Sequence, residues 1–307
     1  MSNLIVSVSP HVHAKDSSMT IMRDVLIALC PALIASILIF GFRSLLVAVV
    51  CVATAVFFEW GFQKICKRKC TIGDLSAAVT GLLLALNLPV GIPLWQAAFG
   101  SLVAIVVVKQ LFGGIGHNFA NPAITARIVM LIAFAGTMTT WASPNFVDVV
   151  SGATPLAVLK GGETVSILPL FLGNVGGSLG ETSALALLIG GVYLIVRKVI
   201  SWHTPVAFIA TVFVLSLIKG GFTFAVCEIL AGGLFLGAFF MATDYVTTPS
   251  TKWGRVIFGI GCGLITCLIR FFGNYPEGVS FSILLMNILT PYISKWTASK
   301  PLGGVKA

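Results

Sequence analysis

The 307 residues are 57% hydrophobic and 9% charged, with a mean hydropathy of +1.03 and a formal net charge of +9. A soluble domain carries about a quarter of its residues as Asp, Glu, Lys and Arg, so this composition excludes an ordinary soluble protein and points to an all-α polytopic membrane protein. The basic surplus is expected in cytoplasmic loops, with the lipid bilayer as the medium and no nucleic acid as partner.

Residues 1–23 read as a cytoplasmic tail. Met1 to Ser18 lacks an apolar h-region and contains His11, His13, Lys15 and Asp16, so no cleavable signal peptide is expected. His11 and His13 could be metal ligands at i, i+2 spacing but read as solvated tail histidines. Ten apolar segments follow, at roughly 24–42, 44–63, 75–90, 94–112, 122–142, 181–198, 203–219, 222–242, 254–272 and 279–296. Each approaches the ~20 residues a span needs, the third and seventh falling short. They group as a five-helix repeat over 24–142, a loop over 143–180, a second five-helix repeat over 181–296 and a tail over 297–307.

With the N-terminus inside, fifteen Lys and Arg fall on the inner side, Lys109 and Arg127 among them. Only Arg43, Lys160, Lys219 and Arg270 fall outside. This bias puts both termini in the cytoplasm and the 143–180 loop on the outer face of the cytoplasmic membrane. Cys30, Cys51, Cys227, Cys262 and Cys267 lie inside apolar runs and behave as small hydrophobes. Cys66 and Cys70 flank a basic run with no second pair to complete a metal site. Reduced thiols are expected.

An internal repeat organises the spans. Gly81 to Pro93 aligns without gaps on Gly237 to Pro249, and Asn121-Pro122 ahead of the fifth span echoes Tyr275-Pro276 ahead of the tenth. An offset of five spans reverses topology, so the halves form an inverted repeat. In each half an apolar helix runs into a Pro-containing polar stretch, an interruption tolerated only where it is buried or lines a cavity.

The 143–180 loop is too long to be a mere connector. Its apolar stretch Val165 to Leu172 is too short to span, and Ser178-Leu-Gly-Glu181 reads as a capping box opening the sixth span. Within it, Asp148, Ser151, Gly152, Ala153 and Thr154 match the Asp-x-x-(Ser/Thr)-Gly-Ala-Thr signature on which a flavin transferase esterifies FMN to the threonine hydroxyl. Gly152 and Ala153 leave the backbone uncrowded for such an enzyme. Thr154 has no adjacent His to activate it, so an external transferase is required.

The inner segment 113–122 has too few correctly spaced glycines for a dinucleotide fingerprint. Its glycines let backbone approach a flat ring, and Asn118 and Asn121 carry amide donors and acceptors suited to a second flavin. A Gly-rich turn with asparagine caps explains the same residues equally well. Glu228, inside the eighth span, is a candidate for cation passage or for holding a neighbouring subunit. Glu59, near a helix end, is expected to snorkel to the interface. Gly259-Ile-Gly261-Cys-Gly263 reads as close helix packing.

Almost end to end the chain resembles the RnfD/NqrB family. The likeness is carried by Ser9-Pro10-His11, Met22 to Val25, Gly81 to Pro93, Gly113 to Pro122, Ser151 to Leu156, Gly180 to Ser183, Gly237 to Pro249 and Pro276 to Asn287. Tyr245 departs from it, standing where Pro is commoner. The resemblance implies a ten-helix, urea-transporter-like fold with covalent FMN on Thr154 and a second, non-covalent flavin (riboflavin) near Asn118 and Asn121. It also implies partner subunits of a multi-subunit redox complex. The chain starts almost directly at Ser-Pro-His and so looks like the D branch, whose members belong to a ferredoxin:NAD+ oxidoreductase coupled to Na+ or H+ transport. Alternatives are the B subunit of a Na+-translocating NADH:quinone reductase and, from the inverted repeat alone, a passive urea- or ammonium-type channel.

Overall fold

The computed structural model describes residues 17–142, 144, 154–162, 165–181, 183–273 and 277–298. Among these residues the chain is helical and contains no strand. Among the described residues four helical runs are long and apolar enough to cross a membrane: α1 (Ser18–Phe40), α2 (Phe42–Ile65), α10 (His203–Leu230) and α12 (Lys252–Phe272). Shorter apolar helices stand beside them: α3 (Ser76–Leu86), α4 (Leu94–Leu102), α5 (Pro122–Ala133) and α9 (Ala184–Val196). α4 runs on as a π-helical stretch, Val103–Gln110. The remaining helices are α6 (Ala135–Met138), α7 (Pro155–Lys160), α8 (Ile167–Leu172), α11 (Leu234–Leu236), which runs on as a π turn over Gly237–Met241, and α13 (Val279–Thr297).

Local chemistry fixes the boundaries. Ser17 opens α1 by accepting the Thr20 amide. Gly41 separates α1 from α2 at φ 76°, a backbone that only glycine adopts without strain. Gly221 repeats that geometry at φ 80° inside α10. Gly221 thus divides the run into two helices at the expected gap between the seventh and eighth segments.

Three expected spans are shorter than their apolar runs. α3 stops at Leu86, because Pro89 and Pro93 cannot continue it. Phe134 leaves the helical region at φ −131°, ψ 46° and ends α5. The sixth helix starts at Ala184, where the Ser183 hydroxyl accepts the Ala186 amide. The Ser178–Glu181 capping box is thus not formed, because Glu181 is taken by a buried arginine described below.

Each half holds a helix that breaks inside the protein. After α3, residues 87–90 remain buried. Their backbone groups find protein partners, as an apolar surrounding requires. Leu179 N–H donates to Leu88 O (3.0 Å) and Gly180 N–H to Leu86 O (2.7 Å). The Arg43 guanidinium donates to Val90 O (3.0 Å) and Ile92 O (3.2 Å). In the second half, Asn121 Nδ2 donates to Met241 O (3.3 Å) and the Tyr245 hydroxyl donates to Val199 O. Tyr245, the position that departs from the family pattern, thus pins the second break to the turn after α9.

Glycines let the helices close. A Cβ on Gly190 of α9 would lie 2.1 Å from Ala28 O of α1, and one on Gly191 would lie 2.6 Å from the Phe239 ring. On α12, a Cβ on Gly259 would lie 2.7 Å from Thr204 O and one on Gly263 2.6 Å from Thr211 Cβ, as the glycine spacing led one to expect. Gly190→Val is expected to lower thermal stability in detergent by about 1–3 kcal/mol through overpacking. Gly61→Ala, which meets nothing within 4 Å, should not lower it. Equal melting of the two variants would contradict the close contact.

Candidate functional site

Two recesses lie near opposite ends of α1. One includes Ser18, Ile21 and Met22 at its start. The other adjoins the segment around Gly173, whose Cβ position is 3.0 Å from Ile39 Cδ1 near its end. At ~1.5 Å rise per residue these ends are about 30 Å apart.

The first recess is a cavity of about 360 Å³ lined largely by apolar side chains, with Asn118, Asn121, Lys109 and Asp244 among its polar groups. Gly113, Gly114 and Gly116, at φ 125°, 98° and 88°, turn the backbone sharply at its edge. Asn121 is 3% exposed and caps α5, its Oδ1 accepting from Ala123 and Ile124 N–H while its Nδ2 holds Met241 O. Its amide is therefore committed to the protein. Asn118 Nδ2 donates to Ala120 O (3.2 Å) and leans on Asp244 Oδ2 (3.5 Å). Burial pushes the Asp244 carboxyl above its usual range, against the bonds it accepts from Val246, Thr247 and Asn118.

Lys109 brings a cation to the same wall. Its π-helical setting re-aims the end of α4, as π segments commonly do at functional sites. Nζ donates to Glu59 Oε1 (2.9 Å), Glu59 Oε2 (3.0 Å) and Ser76 Oγ (2.6 Å). Glu59 also accepts from Gln110 (2.7 Å) and Gln63 (3.3 Å). It is 0% exposed. The snorkelling expected of Glu59 is therefore wrong: a buried cation offers its carboxylate a better partner than interfacial water.

The second recess holds Thr154. Its side chain caps α7, accepting the Ala157 amide at 3.3 Å. The other members of its signature, Asp148, Ser151, Gly152 and Ala153, lie outside the described residues, as do His11 and His13. Trp141, Gly176, Gly177, Gly232, Glu181 and Glu277 share the recess with Thr154, and its volume is about 30 Å³. That space takes about one water molecule.

Beneath it lies a buried charge cluster. Arg127 of α5 donates through one guanidinium nitrogen to Asn87 Oδ1 (2.7 Å) and Glu181 Oε1 (2.8 Å), and through the other to Glu277 Oε2. Burial pushes the Glu277 carboxyl well above its usual range, with Arg127 opposing and Glu181 adding to the rise. Burial also raises Glu181, but the Arg127 guanidinium outweighs it and holds that carboxyl below its usual range. Alongside, Arg270 donates to Glu228 Oε2 (2.8 Å) and to the end carbonyls Glu228 O (2.6 Å) and Ala231 O (3.2 Å). The candidate ion-path residue Glu228 is thus half of a buried pair.

Arg127, Lys109 and Arg270, counted above among the charges that set sidedness, are buried in ion pairs. The cluster also links the two recesses. Arg127 holds Asn87, Asn87 Nδ2 lies 3.8 Å from Met241 Sδ, and Met241 O accepts from Asn121. A lone arginine inside an apolar helix was the available sequence signal for this link. Among the described residues no His, Cys, Asp and Glu group could hold a metal ion, and the seven cysteines are free.

The family described as NQR2, RnfD, RnfE matches residues 5–303. The chain is 48% identical to the D subunit of the Na(+)-translocating ferredoxin:NAD(+) oxidoreductase complex of Acetobacterium woodii, over 99% of this chain and 96% of the relative. It is 43% identical to the D subunit of the proton-translocating ferredoxin:NAD(+) oxidoreductase complex of Clostridium ljungdahlii, over 97% of this chain and 96% of the relative. Against the D subunit of the ion-translocating oxidoreductase complex of Halorhodospira halophila the identity is 37%, over 99% of this chain and 96% of the relative.

Proposed function

The chain belongs to the NQR2, RnfD, RnfE family, and we propose that it is a membrane flavoprotein subunit of an ion-translocating ferredoxin:NAD+ oxidoreductase complex, with FMN esterified to Thr154. Near full-length likeness to subunits named for that complex supports the assignment. The observation that carries the flavin reading is Thr154, closing its signature and standing in a recess connected through buried polar side chains to a second cavity. In this reading ten spans form two inverted repeats, 24–142 and 181–296, with both termini cytoplasmic. Thr154 then faces outward, where a flavin transferase reaches it.

The residues fit the two flavins differently. At Thr154 the protein supplies a hydroxyl for the phosphoryl ester, while the small recess admits a water but not a ring system. The cavity at Asn118 lies in the ~300–1,000 Å³ range of ligand pockets and has their mostly apolar lining. There Asn118 would face the polar edge of a second, non-covalent flavin, Lys109 would add positive charge from the wall while its three N–H bonds stay on Glu59 and Ser76, and Asn121 would form wall. Bound flavins supply the electron-carrying chemistry, and the protein's part is to position them, exclude water and set the surrounding charge. Turnover requires the other subunits, with Na+ or H+ as the transported ion.

Co-expression with a flavin transferase should give a fluorescent band in a denaturing gel at the mass of this chain. Thr154→Ala should abolish that band and Ser151→Ala should retain it. Unchanged fluorescence in Thr154→Ala would sink the assignment of the anchor.

A further inference from the structure

A third recess, of about 550 Å³, opens where α9 ends and where α10 and α12 begin. Val199, Ile200 and Tyr245 line both it and the cavity at Asn118, so they form the partition between the two. The Tyr245 hydroxyl, bonded to Val199 O, holds that partition in place. Two cations reach the wall of the recess from different elements, Lys198 from the turn after α9 and Arg255 from the first turn of α12. Among the described residues no carboxylate does. The nearby acids are committed elsewhere: Asp24 accepts from Arg197 Nη2 (3.0 Å), and Asp244 faces the other cavity. Among the described residues Lys198 Nζ has no hydrogen-bond partner, and Arg255 uses only Nε, on Pro249 O (3.1 Å).

The rest of the lining is largely apolar, from Ile195, Val199, Ile200 and Trp202. Trp202 and Trp253, 56% and 75% exposed, stand at the starts of the two long helices α10 and α12. Exposed tryptophans at the ends of membrane-crossing helices mark the level of the lipid headgroups. The backbone singles out Lys198 as well. It lies at φ 58°, in the position after a helix end where glycine is usual. A side chain in that conformation opposes folding where glycine would not, so its cation needs a reason outside the fold.

We propose that this recess binds the headgroup of one anionic phospholipid, with its phosphate between Lys198 and Arg255 and its acyl chains against Trp202 and the exposed Val196 and Val206. Basic pockets between transmembrane helices select anionic headgroups through the same charge complementarity. The mixed lining favours a lipid over a free anion, because inorganic phosphate would leave the apolar wall in contact with water. A bound lipid joins the turn after α9 to the start of α12, so binding should raise the melting temperature.

The test takes the full-length chain, delipidated in neutral detergent and titrated with phosphatidylglycerol or phosphatidylcholine of equal chain length. Native mass spectrometry counts the lipids retained. One phosphatidylglycerol should stay on each chain at concentrations where phosphatidylcholine does not, and should raise the melting temperature. Lys198→Gly should weaken phosphatidylglycerol binding about fivefold, the factor one basic residue contributes at an anionic surface. The same variant should not lower the melting temperature of the lipid-free chain, because it relieves the backbone. Loss of binding without loss of stability is not a folding defect. Arg255→Gln should weaken binding to a similar degree. Lys67→Gly is the matched control: that lysine lies at φ 53° on the exposed loop after α2, outside the recess, and its loss should leave the lipid preference unchanged. Equal retention of the two lipids, as a recess reserved for an acidic segment of a partner would give, overturns the proposal. Unaltered binding in Lys198→Gly overturns it too, as does displacement of the lipid by millimolar inorganic phosphate, which marks a free-anion site.

Discussion

Arg127→Met is expected to cost about 3–5 kcal/mol, the penalty for leaving a buried ion pair without its cation. Against a total stability of about 5–15 kcal/mol, that removes a large part of the folded population. Arg127 holds three acceptors from three segments: Asn87 in the first helix break, Glu181 ahead of α9 and Glu277 ahead of α13. Its side chain is 7% exposed, so water does not replace it. Arg127→Lys keeps the charge but loses the planar fork that reaches separate partners, and should fall in between. Arg127→Met combined with Glu181→Gln and Glu277→Gln removes the charges together and should recover much of the loss. The pH sign follows from which form the fold prefers. Without Arg127 both carboxyls titrate above their unfolded values, so the fold binds more protons than the unfolded chain between those limits. Stability of Arg127→Met should therefore be greatest in the acid range, below the unfolded carboxylate value, and fall as pH rises through the folded one. Thermal unfolding in detergent across pH measures this. A variant that melts like the parent in the alkaline range would show that the cluster is not desolvated.

What the sequence revealed and concealed divides along the length scale of each interaction. Thr154 could be singled out because the signature that ends on it is contiguous in the chain. The helix breaks after α3 and α11 were legible because Pro89, Pro93 and Pro249 interrupt apolar runs at equivalent places in two aligned stretches. Arg127 was concealed because, along the chain, a basic residue soon after a Gly-rich turn looks like any charge at a helix end. Its partners lie 54 and 150 residues away. Glu59 and Lys109, 50 residues apart, each look like side chains bound for the interface, and only the packing of α2 against α4 brings them together. The capping box failed for the same reason. Ser178 and Glu181 have the right spacing, but a charge-assisted bond to a buried guanidinium is stronger than a bond to a helix-end amide. Ser183 was left to cap α9.

Lys109→Met is the counterpart on the other side, and there fold and ligand can be separated. Removing the ammonium leaves Glu59, 0% exposed, with only the Gln63 and Gln110 amides. The expected loss is again about 3–5 kcal/mol. Glu59→Gln with Lys109→Met deletes both charges and should restore most of the stability, because a buried pair contributes little beyond its own desolvation. The double variant should not regain the non-covalent flavin. Among the described residues Lys109 is the only cationic side chain on the wall of the cavity of about 360 Å³, so the double variant removes the only positive charge facing a flavin's carbonyl edge. Flavin released by acid precipitation should fall several-fold relative to protein, while the covalent fluorescence of Thr154 stays at the parental level. Retention of both flavins in a well-folded double variant would place the second flavin away from Lys109. Loss of the released flavin alone would tie the cavity to its ligand through the charge on its wall. The same measurement on Asn118→Ala then separates a second donor on the cavity wall from the cation itself.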